Sequence, residues 1–186
     1  MVKDDSLPLE TERLILRDLR LSDAANIQRY AGAVEIARTT LNMPHPYENG
    51  MAKDFIRSVR ESRASGINHT FGITVKPSDE VVGCISIGNH PIHRRGEAGY
   101  WIGVPFWGKG YVTEALTRII QFGFDDLNLN RILAYHFTDN PASGQVMQKA
   151  GMTYEGTLRQ HVIRNDDFKD MACYGILREE YERTQS

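Results

Sequence analysis

The chain has 186 residues, of which 41% are hydrophobic and 25% charged, a composition typical of one globular domain with a buried core. Its formal net charge of −2 excludes the strongly basic surface expected of a protein that binds nucleic acid or an anionic membrane. We therefore expect a single domain over residues 1–186 without a nucleic-acid or membrane partner.

Neither targeting nor metal binding is indicated. Residues 1–12 lack the apolar run of a signal peptide, and no segment approaches the ~20 apolar residues of a membrane span. Cys84 and Cys173 form no CxxC pair, and His90 and His93 lie in a loop without a third ligand nearby. We expect a cytoplasmic protein, a monomer or a homodimer, without disulfides or metal.

The first half of the chain predicts strands and helices in alternation. The predicted strands are residues 13–17, 70–76 and 81–88, and the predicted helices are residues 24–30 and 51–65. Residues 77–80, PSDE, have the composition of a turn, so the second and third strands are expected to form a hairpin.

The second half predicts strands at residues 97–103 and 132–138, a final hairpin of residues 154–163 and 169–177, and two helices. Apolar residues with helical spacing follow a glycine loop, and Asn140, Pro141 and Gly151 delimit a helix over residues 142–150. The strand–helix–strand unit makes strands 97–103 and 132–138 parallel neighbours. The order predicts an α/β fold with a mixed sheet of about seven strands and helices on both faces.

The glycine loop VPFWGKGYVTEAL, residues 104–116, has several interpretations. Gly103, Gly108 and Lys109 have the spacing of a nucleotide P-loop, but Gly110 stands where a magnesium-binding Ser or Thr belongs. A dinucleotide fingerprint would need a third glycine, which is missing. Amides at a helix N-terminus also bind a diphosphate without metal, as coenzyme A would require. Alternatively, the glycines serve only a tight left-handed turn.

Four segments together carry a family resemblance. They are TERLILR at residues 11–17, EAGYWI at 97–102, FWGKGY at 106–111, and NPAS at 140–143 continuing to KAGM at 149–152. In this order the chain resembles the GNAT acetyltransferase superfamily, in particular its RimJ/RimL-like branch of ribosomal-protein N-terminal acetyltransferases. The resemblance covers about residues 9–180.

The resemblance implies a sheet splayed between its two parallel strands and acetyl-CoA as co-substrate. The pantetheine arm would bind the backbone of Ile102, Gly103 and Val104. The diphosphate would bind amides of the glycine loop, namely those of Trp107, Gly108, Lys109, Gly110, Tyr111 and Val112. Pro105 departs from the superfamily pattern, which has Gln or Arg there, so that side-chain contribution is missing.

The resemblance also implies a proton acceptor and an oxyanion donor. Glu97 is the candidate base, acting through water on the attacking amine; the alternative is an exposed glutamate or an ion pair with Arg94 or Arg95. A backbone amide near Gly103 or Val104 would hold the oxyanion.

For the leaving thiolate, the branch points to Ser143, whose alternative role is to cap the helix. Met147 stands where many superfamily members place a proton-donating tyrosine. Asn140 either contacts the pantetheine or a water, or is only the N-cap. His161 is a possible substitute for an acid found in some relatives.

The acceptor is expected to be a primary amine, and the branch points to a protein or peptide N-terminus. A small amine, such as a polyamine, amino acid or antibiotic, is the alternative, and an acyl-CoA-binding module without turnover is a second. Acceptor contacts are expected from the loops 43–50 and 164–169, whose polar groups are His45, Tyr47, Asp166 and Asp167.

Overall fold

An eight-stranded sheet in the order β1-β2-β3-β4-β5-β6-β8-β7 forms the centre of the molecule. The computed structural model describes residues 8–185. The strands are Leu9–Glu10, Leu14–Arg17, Asn68–Val75, Val81–His90, Arg95–Ile102, Arg131–Phe137, Thr153–Arg164 and Asp167–Leu177. All neighbours are antiparallel except β5 and β6, which are parallel as the strand–helix–strand unit predicts. The expected mixed α/β sheet is confirmed, with one strand more than expected.

In the described part of the chain, six α-helices accompany the sheet. They are α1 Ala24–Ala31, α2 Val34–Thr39, α3 Met51–Ala64, α4 Tyr111–Asp125, α5 Pro141–Lys149 and α6 Arg178–Gln185. Helices α2 and α6 were not predicted. Helix α2 has only six residues, too few to show a helical period, and α6 is almost entirely polar. The extra strand β1 has two residues and pairs Leu9 with Leu16.

Both faces of the sheet are covered, which gives two apolar clusters. On one face α1 packs on β4 and α3 packs on β3, and they bury Ile27 and Ile56 in one cluster. On the other, α4 buries Phe122, whose ring meets that of Phe71 on β3 edge-on at 5.5 Å. Helices α4 and α5 lie against the parallel strands from this second face, so the site is built between them and the sheet.

The parallel strands separate halfway along their length. Pairing between β5 and β6 runs from Arg95 opposite Arg131 only to Ala98 opposite Ala134. Beyond this point β5 still pairs with β4 as far as Ile102, and β6 still pairs with β8 as far as Phe137. The splay expected from the family resemblance is therefore present, and it opens a wedge inside the sheet.

Backbone groups of β5 face this wedge. The Gly103 amide donates to the carbonyl oxygen of Val82 at 2.8 Å, which fixes the phase of the β4–β5 ladder. In an antiparallel ladder alternate residues exchange their hydrogen bonds with one partner strand. Tyr100 and Ile102 therefore direct their N–H and C=O groups away from β4, toward the space that β6 has left.

Within residues 8–185, none of the helices combines the length and apolarity that crossing a membrane requires. Residues 1–7, which carry most of the stretch examined for a signal peptide, lie outside the described residues.

Candidate active site

The glycine loop joins β5 to α4 through two left-handed residues. A short 3-10 turn, Val104–Phe106, ends β5, and Gly108 and Gly110 then have φ of +72° and +77°. Only glycine adopts this conformation at little cost. The tight turn considered as an alternative is therefore present, and it delivers the chain directly into the N-terminus of α4.

This turn leaves a row of amides unpaired. The first backbone hydrogen bond of α4 runs from Glu114 to the Gly110 carbonyl at 3.1 Å. Among the described residues, none of the amides from Gly108 to Thr113 donates to a protein acceptor. The row includes the expected positions Lys109, Tyr111 and Val112, and it lies at the positive end of a helix of 15 residues. Such a site suits a diphosphate.

Trp107 differs from the rest of the predicted row. Its amide donates to the carbonyl oxygen of Val104 at 3.1 Å and is not free for a ligand. Its indole Nε1 donates to the Ile102 carbonyl at 2.8 Å, and the ring is 45% exposed. Trp107 therefore fixes the end of β5 and offers a ring face beside the loop, in place of an amide.

Arg13, the residue before β2, braces the glycine loop, a contact that the sequence did not reveal. Its guanidinium donates to the Lys109 carbonyl at 3.0 Å, pairs with Glu114 at 2.7 Å and stacks on Tyr111. Burial raises the pKa of Glu114, but hydrogen bonds from Thr11 and Arg13 outweigh it, so the pKa lies below its ordinary value. The TERL segment thus connects to the loop through an ionised pair.

At the end of β5, one backbone amide is used within the sheet and the next remains available to a ligand. Because the Gly103 amide is bonded to Val82, it cannot donate to an oxyanion. The Val104 amide has no acceptor within the described part of the chain and remains the candidate donor. A side chain at Gly103 would meet the ring of Tyr30 at 2.8 Å, so this glycine is required by packing.

A cavity of about 520 Å³ lies between the wedge, α4 and α5. Its walls include the loop residues Gly108, Gly110 and Val112, the strand residue Ile102, and Asn140 from α5. Eight of the eleven residues expected to contact the coenzyme line this space, and Gly103, Val104 and Lys109 do not.

A second, larger cavity of about 950 Å³ opens on the opposite side of the wedge. Its walls include Glu97, Asp54, Tyr135, His136 and His161, and no Lys or Arg is among its lining residues. Arg57 pairs with Asp54 at 2.8 Å, which leaves Glu97 as the unpaired carboxylate of this acidic cavity. Such a wall suits a cationic guest such as an ammonium group.

The loop after α2 contributes to the larger cavity as expected. Met43 and Tyr47 line it, whereas His45 and the hairpin residues Asp166 and Asp167 do not. Burial raises the pKa of Tyr47. Of the four polar groups expected to contact the acceptor, only Tyr47 faces this space.

The two cavities meet at a hydrogen-bonded pair. Thr39, Thr40, Trp101, Tyr100 and Ser143 line both of them. The Tyr100 hydroxyl oxygen lies 2.8 Å from Ser143 Oγ, where either hydroxyl can donate, and 3.1 Å from the Ser143 carbonyl oxygen, which can accept the Tyr100 proton instead. Burial raises the pKa of Tyr100 to about 12, although the hydrogen bond to Ser143 lowers it in part. Tyr100 was not predicted as a site residue, because its partner lies 43 positions away.

Glu97 is exposed on β5, with its side chain toward the larger cavity. Neither Arg94 nor Arg95 forms an ion pair with it in the described structure, and Arg94 instead bonds to Asn128. Burial raises the pKa of the neighbouring Tyr135, and the negative charge of Glu97 adds to this effect. Glu97 is thus an unpaired carboxylate on the wall of the acidic cavity.

The other residues considered for catalysis lie at the start of α5, within α5 and on β7. Asn140 precedes α5, but its side chain makes no capping hydrogen bond, so the N-cap role is not realised. Ser143 bonds to Tyr100 and caps no helix amide. Met147 is buried and has no proton to give. His161 stacks on Tyr135 with ring centres 6.4 Å apart, on the wall of the larger cavity.

No group of three or more His, Cys, Asp or Glu side chains within residues 8–185 is arranged to hold a metal ion.

The splayed parallel pair, the amide row at a helix N-terminus and the two cavities that meet in the wedge belong to an acyltransferase fold. The chain belongs to the GNAT acetyltransferase family: the family described as "Acetyltransferase (GNAT) domain" matches residues 13–153. It is an N-acetyltransferase enzyme of this family.

The relatives include ribosomal-protein acetyltransferases. The chain is 33% identical to the uncharacterized N-acetyltransferase p20 of Bacillus licheniformis, covering 93% of this chain and 97% of that protein. It is also 33% identical to the ribosomal-protein-serine acetyltransferase of Escherichia coli, over 52% of this chain and 54% of that one. The structure of Mycobacterium smegmatis RimJ in complex with CoA-disulfide superposes with a TM-score of 0.81, at 25% identity, covering 90% of this chain and 83% of that one.

Proposed function

We propose that the protein transfers an acetyl group from acetyl-CoA to a primary amine by direct attack, and that the amine is a protein or peptide N-terminus. The observation that carries the proposal is the meeting of the two cavities at Tyr100 and Ser143. One cavity has the features of a diphosphate and pantetheine site, and the other has those of an ammonium site.

The smaller cavity fits coenzyme A in charge and shape. The unpaired amides from Gly108 to Thr113 suit the diphosphate, which needs no metal there. The N–H and C=O groups of Tyr100 and the N–H of Ile102 face the wedge, where an amide-containing pantetheine arm can pair with them as a strand would. The Ile102 carbonyl already accepts from Trp107 Nε1. The thioester then reaches the junction of the cavities.

The reaction forms one C–N bond and breaks one C–S bond. The neutral amine attacks the thioester carbonyl, and the sulfur leaves with the electron pair of the C–S bond. Glu97 accepts the proton of the ammonium through water, the Val104 amide donates to the carbonyl oxygen as charge develops, and Ser143 donates to the leaving sulfur.

The dimensions of the larger cavity favour a chain end over a small amine. Its volume of about 950 Å³ exceeds what one amino group requires, and its walls combine two carboxylates with aromatic and hydroxyl side chains. An N-terminal ammonium followed by a few residues satisfies both properties.

The test is a thiol-release assay with acetyl-CoA and a panel of acceptors. We expect peptides with a free N-terminus to accelerate CoA release, and the same peptides with an acetylated N-terminus to have no effect. Faster release with polyamines or free amino acids would reassign the acceptor. Tight acetyl-CoA binding without release for any amine would identify a binding module.

A further inference from the structure

We propose that Tyr100 is a positioning residue for the leaving group: its hydroxyl donates to Ser143 Oγ, which frees the single Ser143 proton to point at the coenzyme sulfur. The inference rests on the proposed function, since it assigns a task at the same junction. It concerns the hydroxyl pair that both cavities share.

The proton count at the pair allows two arrangements, in which Tyr100 donates either to Ser143 Oγ or to the Ser143 carbonyl. Each hydroxyl has one proton and two acceptor lone pairs. Tyr100 lies within reach of both Ser143 Oγ, at 2.8 Å, and the Ser143 carbonyl, at 3.1 Å. No other hydrogen-bond partner of Ser143 Oγ occurs in the part of the chain that the structure describes. When Tyr100 donates to Oγ, the Ser143 proton is left without a protein acceptor. When Tyr100 donates to the carbonyl, Ser143 can donate to the Tyr100 oxygen instead.

An anionic sulfur selects the first arrangement over the second. If Ser143 donated to Tyr100, its oxygen would present only lone pairs to the sulfur. The negative charge on the sulfur would repel those lone pairs. A chain from Tyr100 to Ser143 to sulfur presents a proton at each step, and hydrogen bonds in such a chain polarise one another. The negative charge that develops on the leaving sulfur therefore favours the orientation in which Tyr100 donates to Ser143 Oγ.

The surroundings of Tyr100 keep its hydroxyl protonated, so that it can donate a hydrogen bond. Burial raises its pKa to about 12, so the hydroxyl stays protonated in neutral and moderately alkaline solution. Tyr100 extends from β5 and Ser143 lies in the first turn of α5, so the hydrogen bond also spans the wedge between them. Met147 follows Ser143 one turn later and cannot take over the role.

The experiment compares the affinities of CoA and desulfo-CoA by calorimetry between about pH 7 and pH 10, where an alkyl thiol with a pKa of about 8.5 ionises. For the wild type we expect CoA affinity to rise with pH relative to desulfo-CoA, because the bound thiolate is stabilised. Tyr100→Phe should reduce that rise about tenfold and leave desulfo-CoA affinity unchanged within about twofold.

Kinetics provide a second readout through a double-mutant cycle. Tyr100→Phe should lower kcat about tenfold in the wild-type background and less than about twofold in the Ser143→Ala background, because the effect passes through Ser143. Tyr181→Phe is the matched control, since it removes a 3.1 Å hydrogen bond to Asp125 outside both cavities. It should change neither kcat nor the pH dependence.

The outcomes separate the inference from the proposed function. Equal pH dependence in the wild type and Tyr100→Phe, or losses that simply add in the cycle, would overturn the role of Tyr100 alone. Wild-type protein that binds neither CoA nor desulfo-CoA would refute the proposed function and this inference with it.

Discussion

Arg164 donates a hydrogen bond of 2.8 Å to the carbonyl oxygen of Met43, 121 positions away in the sequence. The same guanidinium donates to the carbonyls of Ala37 at 2.9 Å and Thr40 at 3.2 Å. Arg164 ends β7, and its three acceptors lie at the C-terminal end of α2 and in the loop that follows. A cation is well placed there, since it neutralises carbonyls that the helix leaves unpaired. The hairpin thus holds the wall that the two cavities share.

Replacing Arg164 by alanine should loosen the end of α2 and the loop after it, which form the wall shared by the two cavities. We expect KM for the acceptor to rise about tenfold, because three hydrogen bonds from a charged donor are lost, and acetyl-CoA affinity to change less than about threefold. Initial-rate kinetics and calorimetry measure the two effects. Arg159→Ala is the control, since Arg159 lies on the same strand and makes no hydrogen bond or ion pair within residues 8–185. Equal effects of both substitutions would refute the role of Arg164.

Gly108→Val should weaken coenzyme binding more than it weakens the fold. A branched residue at φ +72° costs about 1–2 kcal/mol of stability and displaces the amides at the start of α4. We expect a loss of acetyl-CoA affinity of at least about tenfold, since several amide contacts shift together.

Gly66 provides the matched control for Gly108. It has φ +69°, equally open surroundings, and a position in the turn after α3 that lines neither cavity. Gly66→Val should lower the melting temperature by a similar amount and leave acetyl-CoA affinity unchanged. If Gly108→Val also leaves the affinity unchanged, the loop is not the coenzyme site.

Glu97→Gln should lower turnover most where the acceptor is still protonated. An α-amino group has a pKa of about 8, so a base is needed below that pH and becomes dispensable above it. We expect a kcat/KM loss of about 100-fold near pH 7 that shrinks in alkali. Glu155→Gln, on β7 and ion-paired with Arg131 outside both cavities, is the control. A loss that is the same at every pH would exclude Glu97 as the base.

Glu114→Gln should destabilise the protein in a pH-dependent way. The folded-state pKa of Glu114 lies below its ordinary value, so the ionised carboxylate stabilises the fold at pH above that ordinary value. The contribution disappears as the pH falls through the folded-state pKa.

Urea unfolding at about pH 7 and about pH 3 measures this effect. We expect the variant to be less stable than the wild type by about 1 kcal/mol at the higher pH and by a smaller amount at the lower one. A difference of the same size at both pH values would show that shape, and not charge, is the cause.

Local signals predicted most of the fold. Asn140, Pro141 and Gly151 placed α5 to within one or two residues, because caps and breakers act on their immediate neighbours. The strand–helix–strand order predicted the parallel pair. The missed elements α2 and α6 depend on tertiary contacts: the carbonyls at the end of α2 bind Arg164, and Tyr181 of α6 stacks on Phe124 at 5.0 Å.

The candidate site could be predicted only where it is continuous in sequence. The glycine loop carries its own conformational requirement, so its turn and its helix were foreseeable. The Tyr100–Ser143 bond and the Arg13 brace join residues 43 and 96 or more positions apart, and no periodicity encodes such pairs. The hydrogen bond of Gly103 to Val82 was likewise invisible, since a ladder amide and a free amide have the same sequence.

The wedge divides the central sheet into two halves. Within residues 8–185, only four residue pairs, from Arg95–Arg131 to Ala98–Ala134, join the strands β1–β5 to the strands β6–β8 in the sheet. A ligand that pairs with the open edge of β5 extends the sheet as an extra strand does. Its binding energy therefore also stabilises the contact between the two halves of the sheet. Occupancy and thermal resistance then rise together, by RT ln(1 + [L]/Kd) for a ligand that binds only the folded chain. The apo protein is accordingly the form most exposed to proteases and heat.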